Sequence, residues 1–236
     1  MPDPAQTLAR RLEAVRDEIG RAARRAGRPA SAVRLVVVTK AAPARVFELL
    51  RALSVRDVGE SRVQDALRRM RGHEDAFVWH LVGHLQSNKA RRAVERFEVL
   101  HGIDSAALLA RVDAIAAELG RAPRVLLQVN VSGEASKAGL DPGQVPAVVR
   151  AATDLRAARL VGLMTMAPRV DEAEAARPVF AGLRALRDEV ARSSGHELSE
   201  LSMGMTEDFP VAVEEGATFV RVGRRIVGDL LPGALR

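Results

Sequence analysis

The chain contains no cysteine and no tyrosine. The first absence excludes disulfides, thiolate chemistry and any zinc site built on sulfur, and makes the cytoplasm the expected compartment. Aromatic residues total only 3%, so a surface that stacks nucleic-acid bases would have little to work with. No run of about 18 apolar residues is present, which argues against a membrane span. The N-terminal stretch MPDPAQTLARRLEAVRDEIG alternates acids and bases and lacks the apolar core of a signal peptide. Lysine is nearly missing too: Lys40, Lys89 and Lys137 are three of 36 basic residues, and arginine fills the rest.

What is present is a 236-residue chain with 47% hydrophobic residues and a net charge of +6. The high pI, about 10.9, raises nucleic-acid binding as a possibility. The excess charge is modest, however, and acids lie between the arginines. RAARRAG and RRMRGH therefore read as solvated helix faces, and neither a nucleic-acid nor a membrane partner is expected.

Along the chain, short apolar runs alternate with amphipathic ones. Residues 5–26 read as a helix with Leu8, Leu12, Val15, Ile19 and Ala22 on one face. Strands are expected at 33–39, 55–60, 77–83, 98–104, 124–131, 159–166, 196–201 and 217–222. Helices are expected at 43–53, 61–70, 86–97, 105–120, 143–153, 171–195 and 206–216, with a last short one from Arg224. Asp171 and Glu174 resemble a capping box, Pro178 should kink its helix or mark a second start, and Thr206 should cap the helix that follows it. The strands are mostly continuous apolar runs, as in parallel strands buried on both faces. Eight βα units in a chain near the ~250 residues of a typical α/β barrel predict a single (β/α)8 TIM-type barrel domain, 1–236, with an extra N-terminal helix. A doubly wound sheet would want a glycine-rich fingerprint after its first strand, and VVVTKAAPA is not one.

Barrels place their sites at the C-terminal strand ends. There the first strand delivers Thr39 and Lys40. A lysine, unlike an arginine, can lose its proton and attack a carbonyl; from position alone, a snorkelling surface lysine is the other reading. The second strand ends in Gly59, Glu60 and Ser61, the third carries Trp79, His80 and then His84, and the fourth carries His101 and Asp104. Gln128 and Asn130, then Met164 and Thr165, end the fifth and sixth. The last two lead into Ser202, Met203 and Gly204, and into Arg221, Gly223 and Arg224. Loops after strands 7 and 8 often hold phosphate, and these supply a hydroxyl, glycines and spare N–H groups. A phosphate facing a lysine suggests a phosphorylated aldehyde, and pyridoxal 5′-phosphate (PLP) is the commonest such cofactor. His80 and His84, four apart on a strand and its loop, make a poor metal pair, and no metal is expected.

The segments VVVTKAAP, GESRVQDA, WHLVGHLQSNKARR, HGIDS, QVNVSGEASKAGL, GLMTMAP and LSMGMTEDFPVAVEEGATFVRVGRRIVG occur in this order and span nearly the whole chain. Together they resemble the PLP homeostasis protein family, whose fold is like the N-terminal barrel of alanine racemase. The resemblance implies PLP held as a Schiff base on Lys40, with Arg221 facing the pyridine nitrogen. It implies phosphate contacts from Ser202, Gly204 and Gly223. Val38, Ser61 and His80 would line the pocket, and Met164 and Met203 would touch the ring. It also implies a non-catalytic monomer that buffers PLP or delivers it to apo PLP-dependent enzymes.

Two positions depart from the family pattern. Ser61 stands where the family usually has asparagine, and Arg224 where a small residue usually follows the last glycine; its guanidinium or only its backbone N–H could serve the phosphate. Lys137, in a loop at the same rim, reads as solvated. The alternative function is a PLP-dependent amino-acid racemase. Such enzymes need an opposing acid/base, commonly tyrosine, and a second domain; this chain has no tyrosine and its eight units leave nothing for that domain.

Overall fold

The computed structural model describes residues 3–40, 42–134, 137–228 and 230. Helix α1 (Pro4–Arg25) comes first. Strands β1 (Arg34–Val38), β2 (Asp57–Glu60), β3 (Val78–Leu81) and β4 (Val99–Ile103) follow, each leading to a helix: α2 (Val46–Ala52), α3 (Val63–Arg69), α4 (Ala90–Arg96) and α5 (Ala106–Leu119). The second half repeats the scheme with β5 (Arg124–Gln128), α6 (Val145–Ala151), β6 (Arg159–Met164), α7 (Arg177–Ser194), β7 (Glu200–Ser202), α8 (Phe209–Glu214), β8 (Phe219–Val222) and α9 (Arg224–Val227). The strands close in sequence order into an eight-stranded parallel barrel, with β8 returning to β1 in the register Val36↔Arg221. This is the expected (β/α)8 architecture.

Parallel strands separated by helices bury both faces, so two apolar layers form. Outside the barrel, a continuous core joins the strands to the helices. It includes Leu8, Leu12, Val15, Ile19 and Ala22 of α1, all at most 4% exposed. Trp79 packs there against Phe47 and Phe77, with centroids 5.2 and 5.6 Å away. Inside the barrel, Val36, Val38, Val82, Val99, Leu126, Met164 and Phe219 form a second cluster. α1 also ties down the C-terminal segment: Arg225 forms a bidentate pair with Glu18, and Arg11 donates to the Gly228 carbonyl.

Three local expectations fail for identifiable reasons. The seventh strand covers Glu200–Ser202 rather than 196–201; the Leu198 carbonyl takes a hydrogen bond from Arg187 of α7, and His196 meets Thr153, so this stretch joins no ladder. No capping box forms at Asp171: a 3₁₀ turn (Ala173–Ala176) intervenes without a side-chain cap, Glu174 pairs with Arg177, and Pro178 sits in the first turn of α7. Thr206 does not cap α8. The Asp208 carboxylate accepts from the Met205 N–H at 2.6 Å, which folds 205–208 into a turn and delays the helix to Phe209.

Candidate functional site

The site is built from the turn that presents Lys40. Val36 and Val38 face the barrel interior, and Lys40 continues their parity beyond the end of β1, where it is exposed. The turn is clamped from below. The Thr39 hydroxyl donates to Glu60 Oε1 at 2.5 Å, and Arg69 donates to the same oxygen at 3.0 Å. Arg69 also donates to the carbonyls of Thr39 (2.8 Å) and Ala42. Glu60 is fully buried, and its Oε2 has no partner among the described residues. Burial raises its pKa, with the Arg69 charge and the Thr39 hydrogen bond opposing.

Four residues below Lys40 on the same interior row, Val36 pairs with Arg221 of β8. Arg221 is 4% exposed. Its Nη1 donates to Ser202 Oγ at 2.5 Å and its Nη2 to the Thr165 carbonyl at 3.0 Å. Burial lowers its pKa to about 10, with Asp208 opposing, so the guanidinium stays cationic at neutral pH. The loops after β7 and β8 close in around the mouth. Gly204 adopts φ +90°, a conformation suited to glycine, and its carbonyl accepts from the Arg221 N–H at 3.0 Å. A Cβ on Gly223 would lie 2.9 Å from the Val38 carbonyl oxygen, so the turn into α9 passes directly over β1. The first N–H groups of α9 have no intrahelical acceptor. Gly59 likewise leaves space inside the barrel, where a Cβ would meet Val36 and Val82.

Several expected roles change. The Ser202 hydroxyl accepts from Arg221 and lies 2.8 Å from His101 Nδ1, so its side-chain contacts run into the barrel interior. His80 does not line the mouth: it is fully buried, with Nδ1 at 2.9 Å from His101 Nε2 and Nε2 at 2.9 Å from Asp57. Met203 packs in the layer between barrel and helices, whereas Met164 stays in the interior cluster with Val38, so only Met164 is placed to touch a ring. The Arg224 guanidinium turns outward to Glu207 at 2.9 Å, both side chains more than 70% exposed. Lys137 is not solvated: its Nζ donates to the Met166 carbonyl at 3.2 Å, and the side chain is 19% exposed. Ser61 is half-buried, its carbonyl packed where a Cβ on Gly83 would stand. His84 pairs with Asp104 at the rim and does not converge with His80.

Open grooves lie elsewhere, among them one of about 420 Å³ beside Arg16, Arg56 and Asp57 and one of about 540 Å³ beside Arg121 and Arg156. Neither is lined by a lysine. The mouth offers what a phosphorylated aldehyde requires: a primary amine, a buried cationic donor and glycine turns that bring backbone N–H groups to it.

Residues 11–230 match the family model described as alanine racemase, N-terminal domain. The pyridoxal phosphate homeostasis protein of Pseudomonas aeruginosa is 38% identical over 224 residues, covering 94% of this chain and 95% of that protein. That of Aquifex aeolicus is 35% identical over 220 residues, 93% and 96% of the two chains. This chain belongs to the pyridoxal phosphate homeostasis protein family. Among solved structures, PipY of Synechococcus elongatus with PLP bound superposes with a TM-score of 0.82 at 39% identity, covering 94% of this chain and 100% of that one. No helix among the described residues is long and apolar enough to cross a membrane.

Sequence reasoning missed Asp57 and Arg69, and named His101 at its strand end without giving it a role. Asp57 and His101 extend His80 and Ser202 into a buried column, and Arg69 completes the clamp on Thr39 and Glu60. The available signal was the polar residue inside an apolar strand, as in VLHGI (99–103); buried polar groups are nearly always bonded to one another.

Proposed function

We propose that this member of the family holds PLP as a Schiff base on Lys40 and buffers or delivers it, without catalytic turnover of its own. The observation that carries this reading is the exposed amine of Lys40 at the open end of the interior row, with the cationic Arg221 further down the same mouth. When bound, the cofactor supplies an aldehyde that condenses reversibly with a primary amine. Arg221, a donor only, holds its protons toward the ring nitrogen and so keeps that nitrogen unprotonated, which weakens the ring as an electron sink. The backbone N–H groups of Gly204, Gly223 and Arg224 receive the phosphate. Val38 and Met164 pack beneath the ring, and Ser61 borders the pocket. The protein acts as a monomer in the cytoplasm, and apo PLP-dependent enzymes are the recipients its cargo suits.

The test is direct. The purified protein is mixed with PLP, reduced with borohydride and digested. A mass increase on the peptide containing Lys40 supports the reading; a label confined to Lys89 or Lys137 overturns it.

A further inference from the structure

Below the mouth, a file of hydrogen bonds crosses the barrel interior. Arg221 Nη1 donates to Ser202 Oγ at 2.5 Å, and Ser202 Oγ lies 2.8 Å from His101 Nδ1. His101 Nε2 lies 2.9 Å from His80 Nδ1, and His80 Nε2 lies 2.9 Å from Asp57 Oδ1. Ser202 and both imidazoles are completely buried. Phe219 presents its face edge-on to both rings, at centroid distances of 5.5 and 5.4 Å. Asp57 opens the β2 strand at the opposite end from Lys40, and its side chain is 19% exposed at the floor.

The end groups fix every proton between them. Guanidinium can only donate and carboxylate can only accept, a neutral imidazole donates one proton and accepts one, and a hydroxyl donates one and accepts up to two. With both rings neutral, the four links have a single solution, read from Asp57 upward. Arg221 donates to Ser202, Ser202 to His101 Nδ1, His101 Nε2–H to His80 Nδ1, and His80 Nε2–H to Asp57. Reversing any link leaves two donors or two acceptors facing each other in a dry core.

We propose that Asp57, His80, His101 and Ser202 are positioning residues for Arg221, forming a one-directional hydrogen-bond relay that anchors its guanidinium from the barrel floor. The proposal rests on the reading that Arg221 faces the cofactor ring, and gives that arginine a fixed orientation before the ring arrives. The groups around the relay agree with neutral rings. Burial lowers the pKa of His80 against the pull of Asp57, with Arg124 and Arg34 adding to the lowering. Burial lowers that of His101 further, helped by the cationic Arg221, Arg124 and Arg34. Burial pushes Asp57 up, but the His80 hydrogen bond, with Arg34 and Arg124, brings it below its ordinary value, so the carboxylate persists as the terminal acceptor. The floor is completed by Arg34, which pairs with Glu200 and lies 4.1 Å from the centre of the Phe219 ring.

Nitrogen-15 NMR of histidine and arginine side chains in the PLP-free protein tests this. His80 and His101 should both appear as the neutral Nε2–H tautomer at pH 7 and above. A Nδ1–H tautomer or an imidazolium at either ring overturns the relay. Asp57→Asn replaces the terminal acceptor by an amide that can also donate. It should shift both rings toward the other tautomer and speed proton exchange at the Arg221 guanidinium at least threefold, although residue 57 does not touch residue 221. A His80 change without one at His101, or unchanged Arg221 exchange, overturns the proposal. If Asp57→Asn does not fold, the wild-type tautomers decide alone. The reading of Arg221 is separable: when PLP is added, Arg221 resonances that stay unmoved while Lys40 is trapped defeat that reading and leave the apo relay standing or falling on its own result.

Discussion

The hydroxyl of Thr39 donates to the carboxylate of Glu60 at 2.5 Å, one residue before Lys40 leaves the barrel. Arg69 supports the same carboxylate and two carbonyls of the turn, so a buried acid is balanced by one arginine from α3. Removing one partner of a buried ion pair leaves the other charge stranded, which typically costs about 3–5 kcal/mol. Arg69→Ala should therefore lower stability by an amount of that order, measured by urea denaturation. Glu60→Gln in the same background should recover a large part, because the stranded charge is gone. Equal losses in the single and double variants would mean that the clamp acts through packing instead.

A second carboxylate anchors the barrel floor. Asp113 of α5 is 6% exposed and accepts from the N–H groups of Arg156, Ala157 and Ala158 at 2.8–3.1 Å. Burial pushes its pKa up, but the three N–H donors and Arg156 together leave it below the ordinary value. A carboxyl whose pKa is lower in the folded state contributes stability above its unfolded pKa and loses it as pH falls through the folded one. Asp113→Asn should cost about 1.5–3 kcal/mol at pH 7. The gap between variant and wild type should narrow below about pH 4. Urea midpoints at several pH values check this; a gap independent of pH would remove the charge from the explanation.

The barrel, its strand order and its extra helix were legible in the sequence because continuous Val and Leu runs between amphipathic helices have few other solutions. Lys40 stood out as a candidate because lysine is so scarce here. What stayed hidden was which way neighbouring strand residues point. Strands buried on both faces carry no alternating pattern, so Met203 could be expected inside when it faces the helices. Depth was hidden too. His80 reaches the middle of the barrel rather than its mouth because strand stagger, including the shift between Leu100 and Ile103, is set by closure of the whole sheet. Asp57 and His101 became significant only through contacts 23 and 21 residues away from His80.

Lys40→Ala should abolish the visible absorbance of PLP-loaded protein and the borohydride label while leaving the melting temperature nearly unchanged. The side chain is exposed beyond the end of β1, so little packing is lost. Retention of the absorbance band would assign the cofactor to another amine, and only Lys89 and Lys137 are available among lysines.

Assays with alanine, serine and other amino acids should show no racemase, transaminase or decarboxylase rate above that of free PLP. The chain has no tyrosine to serve as an opposing acid/base, and the proposed placement of the cationic Arg221 at the ring nitrogen disfavours the electron-sink chemistry those reactions need. A rate proportional to protein and lost in Lys40→Ala would establish an enzyme.

The phosphate contacts separate into backbone and side-chain contributions. Pyridoxal without its phosphate should bind at least tenfold more weakly than PLP, since charge-assisted hydrogen bonds are worth roughly 1.5–3 kcal/mol each. Arg224→Ala should be nearly silent, because its guanidinium spans solvent to Glu207 and an exposed pair contributes about 0–1 kcal/mol. Gly223→Ala should act differently. Its Cβ would press to 2.9 Å from the Val38 carbonyl oxygen, a backbone atom that cannot swing aside, so the turn into α9 must lift off β1 and carry its N–H groups away from the phosphate. Dissociation constants for PLP and pyridoxal, measured by fluorescence in one buffer, give the decisive comparison. Gly223→Ala should weaken PLP much more than pyridoxal, so that the two ligands converge. If Arg224→Ala alone produced that convergence, the guanidinium would have to leave Glu207 for the phosphate, and the backbone reading of this loop would be wrong.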